Sequence, residues 1–190
     1  FTTSLGITAQ YFTLNKNWTV EPRAALKWTF NPKHALALAY GLHSRRERLD
    51  YYFVEQEVNG KTESNRYLNF SKAHHFGLTY DWNINSYMHL KVEPYYQYLF
   101  RIPVEENSSF SIINHQSFYL ERILKNRGSG VNYGIDITLE QYMKNGFYYM
   151  ITASLFKSRY KAGDHIWRNT RLDKNYLLNV LAGKEWMVGR

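Results

Sequence analysis

Residues 18–30 read Trp-Thr-Val-Glu-Pro-Arg-Ala-Ala-Leu-Lys-Trp-Thr-Phe, and their side chains sort by parity. Trp18, Val20, Pro22, Ala24, Leu26, Trp28 and Phe30 fall on one parity; Thr19, Glu21, Arg23, Ala25, Lys27 and Thr29 fall on the other. A β-strand sends alternate side chains to opposite faces. This stretch therefore has one large apolar face with Trp at either end and one face bearing both signs of charge. The charged face suits no soluble core, but it suits a wet lumen with lipid on the other side. That is the pattern of a transmembrane β-strand.

The rest of the chain repeats it. Leu36, Leu38, Tyr40 and Leu42 alternate with Ala35, Ala37, Ala39, Gly41 and His43, small inward residues that leave room in a lumen. Phe76, Leu78, Tyr80 and Trp82 alternate with His75, Gly77, Thr79 and Asp81. Met88 to Tyr98 alternate with His89, Lys91, Glu93, Tyr95 and Gln97, and Val131 to Leu139 with Asn132, Gly134, Asp136, Thr138 and Glu140. With segments 4–13, 147–155 and 176–185, the expected fold is all-β: an antiparallel up-and-down meander of about eight long strands. Pro22 and Pro94 lack a ladder donor, so each is expected to mark a bulge or weakened pairing.

Connections alternate in length. Tight turns are expected at 31–34, 83–86 and 144–146, the last with the Asn-Gly hairpin signature. Long loops are expected from about residue 44, at 101–129 and at 158–174. Short turns on one side and long loops on the other are the habit of outer-membrane barrels. Only the connection at 14–17 breaks the rule on the long-loop side.

Composition agrees. The chain has 17 Tyr, 11 Phe and 5 Trp at a mean hydropathy of −0.53. No apolar run approaches the roughly 18 residues of a spanning helix, which excludes a helical membrane protein. A barrel escapes that test because only every second residue meets lipid. The net charge of +8 is scattered over strands and loops, unlike the one-sided patch of a nucleic-acid reader. Anionic lipid or lipopolysaccharide near the strand ends accounts for it as well.

Several segments resemble the later barrel strands of TonB-dependent outer-membrane receptors, especially the Bacteroidetes kind. They are Glu21-Pro22-Arg23, Tyr40-Gly41-Leu42-His43-Ser44, Lys72-Ala73-His74-His75, Glu93-Pro94-Tyr95-Tyr96-Gln97, the run 134–140, Trp167-Arg168-Asn169-Thr170-Arg171 and the run 179–185. They follow one another through nearly the whole chain. The resemblance implies a plugged barrel of about 22 strands importing a scarce solute across the bacterial outer membrane. It also implies partners: the remainder of the barrel, its plug domain and, through parts absent here, the TonB complex. The 190 residues are then expected to be one barrel segment, truncated at both ends and without a plug.

The candidate ligand contacts lie in the loops. Arg45, Arg46 and Arg48 beside Tyr51 and Tyr52 suit an anionic or sugar-bearing ligand, by charge-assisted bonds and stacking. Trp167, Arg168 and Arg171 form a similar set, and an Arg-rich loop on lipopolysaccharide is the competing reading. The inward charges Glu21, Arg23, Lys27, Lys91, Glu93, Asp136 and Glu140 are expected to satisfy one another or hold a plug. Trp18, Trp28, Trp82 and Tyr98 read as interface anchors.

No catalytic site, metal or cofactor is expected. His74 and His75 point to opposite faces, so only one of them can join His43 or Asp81. There is no Gly-x-Ser-x-Gly, no His-Glu-x-x-His and no phosphate-cradling Gly loop. Ser and His at an outer rim, such as His43, His115 or His165 with Ser44 or Ser158, are the remaining route to an enzyme. Two other architectures fit the parity: a complete eight-stranded outer-membrane anchor or adhesion protein, and a soluble lipocalin-like barrel with its faces exchanged.

Overall fold

The computed structural model describes residues 1–58, 60–186 and 188–189; Asn59, in the polar run of the first loop, and the closing Arg190 lie outside the described residues. In chain order the strands are β1 (Thr2–Phe12), β2 (Asn17–Asn31), β3 (His34–Arg45), β4 (Glu55–Val58), β5 (Lys61–Ser64), β6 (Ser71–Asn85), β7 (Met88–Val104), β8 (Lys125–Lys144), β9 (Phe147–Lys161), β10 (Trp167–Asn169) and β11 (Tyr176–Lys184). β1, β2, β3, β6, β7, β8 and β9 form an antiparallel meander. β10 and β11 then share the far side of β9. β4 and β5 form a separate hairpin within the first loop. Among the described residues, β1 pairs only with β2 and β11 only with β9, so the sheet is open at both edges.

Pairing registers carry the parity pattern across the sheet. Tyr40 lies opposite Phe76, Phe76 opposite Tyr96, Tyr96 opposite Tyr133 and Tyr133 opposite Lys157, all on one face. Four residues further down the strands, Trp28, Leu36, Tyr80, Val92, Ile137 and Ala153 make a second row. This apolar face is open: Trp18 is 71 % exposed and Leu155 57 %. A continuous apolar surface across a whole sheet far exceeds the few hundred Å² that soluble monomers expose.

The turns at one end follow local chemistry. Asn31 Oδ1 accepts from the backbone N–H of Lys33 and His34, at 2.9 Å each. Asn85 Oδ1 does the same for Tyr87 at 3.0 Å. Asn145 and Gly146 both have positive φ, 53° and 74°, as a type I′ hairpin turn requires. At Pro94 the β6–β7 ladder is interrupted, pairing at Gly77–Tyr95 and resuming at Tyr80–Val92 without a change of register. Next to Pro22 the β2–β3 pairing stops, at Arg23–Gly41.

Two of the expected long loops shrink. β7 runs to Val104 and β8 starts at Lys125, so the second loop is 105–124 rather than 101–129. β9 runs to Lys161 and β10 pairs back on it, so the third loop is only 162–166, followed by an excursion over 170–175. These strands are longer than a bilayer requires: β8 has 20 residues, where about 9–11 suffice to cross. Beyond the apolar rows neither face is uniformly apolar. Parity is therefore lost in Lys125-Asn126-Arg127-Gly128-Ser129-Gly130, which reads as loop but pairs as strand.

The buried core lies among the loops. Tyr51, Tyr52, Leu68, Ile102, Ile112, Leu120 and Leu124 form one cluster, flanked by Phe12, Leu14, Leu99 and Ile113. Asn65, 1 % exposed, staples the two long loops: its Nδ2 donates to Arg122 O and its Oδ1 accepts from Leu124 N, both at 2.8 Å. The short connection at residues 13–16 sits under the same layer, Asn15 Nδ2 donating to Leu68 O at 2.8 Å. The break in the length rule thus has a cause: the neighbouring loop covers that corner.

Candidate functional site

Because Leu99 and Gly130 lie on the polar parity and touch the loop core and Ile113, the loop layer folds over the polar face. Between them opens a cleft of about 990 Å³. Arg45, Arg46, Arg48 and Lys72 reach it from one side, His115 from the layer above, and His43 and His75 from the polar face below. The His43 and His75 rings sit 4.5 Å apart, while His74, on the other face, stacks on Phe100. Parity thus sends one of the two adjacent histidines to the cleft.

The arginines differ in availability. Arg48 is committed: it makes two bonds to Asp50, at 3.1 and 2.9 Å, and lies over the rings of Tyr51 and Phe118. The Asp50 carboxylate holds its pKa above the ordinary value. Arg45, whose side chain is 73 % exposed, lies 3.5 Å from Glu47. Glu47 is itself buried and also accepts from Ser71 Oγ. Arg46 lies over Phe12. The mouth therefore carries Arg45, Arg46 and Lys72 against the single Glu47 carboxylate, a basic opening fit for charge-assisted bonds to an anion.

The two expected stacking rings are placed elsewhere. Tyr52 is 1 % exposed and its hydroxyl accepts from Glu47 N at 3.2 Å; Tyr51 is 5 % exposed. Burial pushes both hydroxyls above their ordinary pKa. They are core of the loop layer, with only Tyr51 at the cleft wall. Nothing in their sequence neighbourhood signals this, because the partners are Leu68 at the far end of their own loop and Ile112 and Leu120 of the next one.

Of the second candidate set only Arg171 approaches this cleft, through a cavity that shares Leu99, Ile113 and His115 with it. Arg168 holds Asp164 with two bonds, the longer 2.8 Å, and keeps that carboxyl below its ordinary pKa. The pair clips the 162–166 loop. Arg171 lines a smaller cavity of about 210 Å³ with Asn132, Ser158 and Thr170. Trp167 lies opposite Lys161, on the parity of Leu155, and so belongs to the apolar face.

The expected inward charges share the polar face, and most of their ion pairs run along a single strand. Glu21, 2 % exposed, accepts from Gln10 Nε2 at 2.6 Å and Ser44 N at 3.0 Å, and pairs with Arg23 at 3.1 Å. It fills the gap where the β2–β3 ladder opens. Lys91 and Glu93 pair along one strand at 2.8 Å. Only Lys27 reaches across, over the small Ala35 and Ala37 of β3, to Asp81 at 3.9 Å. Among the described residues Asp136 and Glu140 make no ion pair.

Among the described residues no group of three or more His, Asp or Glu is placed to hold a metal. Among the described residues no candidate histidine is hydrogen-bonded to a candidate serine, although His115 and Ser158 line the same cavity of about 210 Å³. Ser44 Oγ bonds Thr19 Oγ1 at 2.8 Å, and Ser158 Oγ donates to Asn132 Oδ1 at 2.6 Å. His115, which sequence reasoning placed among rim histidines, is packed edge-on against Tyr51 and Phe110 with Nε2 buried and unpartnered.

No protein-family model matches this sequence, and no curated protein matches it. Solved structures do. The ferric-catecholate import receptor Fiu from E. coli K12 superposes on 88 % of this chain with a TM-score of 0.65 at 10 % identity. The FrpB iron transporter from Neisseria meningitidis (F3-3 variant) superposes on 79 % with a TM-score of 0.53 at 11 % identity. The chain spans only about a fifth of either protein, 22 % and 21 %. An open antiparallel meander with one apolar face, tight turns at one end and a folded loop layer at the other is thus the fold of a contiguous stretch of the outer-membrane β-barrel of TonB-dependent receptors.

Proposed function

We propose that this chain is part of the barrel of a TonB-dependent receptor that imports a scarce solute across the bacterial outer membrane. The observation that carries the reading is the open sheet. A barrel complete in eight strands, as an anchor or adhesion protein, needs β1 paired with the β10–β11 edge, and each instead ends without a partner among the described residues. A lipocalin-like barrel needs the apolar face inside, yet here the loop layer folds over the polar face.

In this orientation the polar face is the lumen wall, and the remainder of the barrel completes it. Asp136 and Glu140, without ion-pair partners, are the charges left for a plug domain. Trp28 and Trp82 at one end, and Trp18 and Tyr98 at the other, serve as interface anchors. On β7, Leu90 opposite Trp82 is eight residues from Tyr98, about 27 Å along the strand. A tilt of about 40° foreshortens that to about 21 Å, close to the usual apolar band of about 25 Å. The resemblance of segments such as Glu93-Pro94-Tyr95-Tyr96-Gln97 supports the Bacteroidetes kind of receptor.

The solute class follows from the cleft. Arg45, Arg46 and Lys72 at the mouth, above His43 and His75, select an anionic solute. Fiu and FrpB are named for ferric-catecholate import and iron transport. A negatively charged metal chelate is the corresponding cargo here, with the chelate as substrate and no resident cofactor.

Fractionation of the native cell with an antibody against this chain tests the assignment. A band several times 22.7 kDa in the outer membrane supports a receptor segment. A band near 22.7 kDa in that membrane supports a complete small barrel, and a soluble band exchanges the two faces.

A further inference from the structure

On the apolar face, two cations stand above the aromatic row without a counter-charge. Lys157, in the row of Tyr96 and Tyr133, is paired with Asp173 at 3.7 Å. Arg159 lies two residues higher on β9 and Lys161 four, on the same parity, and among the described residues neither has a carboxylate within ion-pair distance. Trp167 of β10 lies opposite Lys161, and its ring is 5.8 Å from the Arg159 guanidinium carbon and 5.7 Å from Lys161 Nζ. Arg159 and Trp167 are exposed.

Height along the strand identifies what they meet. Arg159 lies in the row of the interface ring Tyr98, through Val131, and Lys161 in that of Phe100, through Ser129, about 7 Å further along the strand or about 5 Å along the membrane normal at a tilt of about 40°. The headgroup layer begins at the interface aromatics and is about 5–8 Å deep on each side. Two free cations and an indole at that height fit a phosphate-bearing amphiphile: the cations hold the phosphate, and the Trp ring lies beside the sugar and acyl boundary.

We propose that Arg159, Lys161 and Trp167 form a binding site for the phosphorylated headgroup of lipopolysaccharide, its lipid A, on the outside of the barrel. The proposal rests on the receptor reading for the direction of the loops. It is separate from the solute cleft, which opens on the opposite face. Of the residues read from sequence as ligand contacts, Trp167 is thereby reassigned from solute to lipid.

The test uses the native full-length protein purified in detergent, with diphosphoryl lipid A and phosphate-stripped lipid A added separately and bound lipid counted by native mass spectrometry. The wild type is expected to prefer the phosphorylated form by at least about tenfold, the effect of losing one charge-assisted contact. Arg159→Gln with Lys161→Gln is expected to abolish that preference. Lys33→Gln with Lys144→Gln, equal in charge loss at the far end of the sheet, is expected to keep it. Equal binding of both lipid forms by the wild type overturns the proposal without needing any variant to fold. So does inorganic phosphate at millimolar concentration displacing nothing while the far-end variant loses as much as the near one. A protein recovered in the soluble fraction overturns the receptor reading as well, whereas equal lipid binding by an outer-membrane protein overturns this site alone.

Discussion

Tyr95 on β7 closes over Gly134 on β8: its hydroxyl lies 2.9 Å from where a Cβ on that glycine would stand, with the Leu155 carbonyl oxygen at 2.5 Å and the Phe156 Cβ at 2.8 Å from the same point. The two residues are directly opposite in the register. Tyr148 covers Gly183, its opposite number on β11, in the same way. On the polar face an aromatic ring fills the space that a missing side chain leaves. Gly134→Ala should therefore destabilise the barrel by about 1–3 kcal/mol through overpacking. Gly77→Ala, with nothing within 4 Å of its would-be Cβ, should cost nothing or stabilise slightly. Urea midpoints of the lipid-embedded protein check the pair; equal losses at the two glycines would refute the crowding at Gly134.

Glu21→Ala removes the acceptor of Arg23 and of the Ser44 N–H and leaves Gln10 only its 3.4 Å bond to Ser44 O. A cost of about 3 kcal/mol is expected, since buried donors lose the full desolvation term. Glu21→Gln keeps one oxygen and should lose clearly less. The same urea series reads both.

Loss of the Asn65 staple should loosen the loop layer without touching the sheet. Asn65→Ala removes two bonds between the long loops, about 2 kcal/mol together. Hydrogen exchange should rise in 120–124 and stay unchanged in β8 below Gly134.

The Asp164–Arg168 clip has a defined pH response. Hydrogen bonds from Arg168 depress the carboxyl below its ordinary 3.8, so the charged pair favours the closed loop. That contribution is fully present above 3.8 and is lost as pH falls through the lower, folded value. Protease cleavage at 162–166 should stay slow from neutral pH down to about pH 4 and rise below it. Arg168→Gln should be cleaved readily already at pH 7.

The isolated chain has two unsatisfied strand edges, β1 and the β10–β11 side. Edges of that length recruit other strands. In detergent, light scattering after size exclusion should show oligomers; a stable monodisperse monomer would mean that the chain closes on itself.

The long strands were legible because one parity is apolar throughout: residues 18–30 and 131–140 show it without a break. Beyond the apolar rows that signal is absent. Arg101, with φ of 55°, adds a bulge that shifts the β7–β8 register, and Gly128 and Gly130 supply no parity signal. So the tops of β7, β8 and β9 read as loop. The arginines of the candidate site could be found by composition, and three of them do reach one cleft. The burial of Tyr51 and Tyr52 could not, since it depends on loops 46–70 and 105–124 folding onto each other. The approach of His115 over His43 and His75 is likewise tertiary, joining three segments that share no local pattern.

The central claim is that the Tyr133 face meets lipid and the Asp136 face meets water. This stretch contains no cysteine, so a single introduced cysteine is its only thiol, and any thiol elsewhere in the native protein is replaced first. The most direct measurement is labelling of the native outer-membrane protein at 133, 134, 135, 136, 137 and 138 by a membrane-impermeant maleimide and, separately, by a lipid-soluble one. The account requires strict alternation, with 133, 135 and 137 reached from lipid and 134, 136 and 138 from water. Uniform labelling, or alternation with the two reagents exchanged, would contradict it.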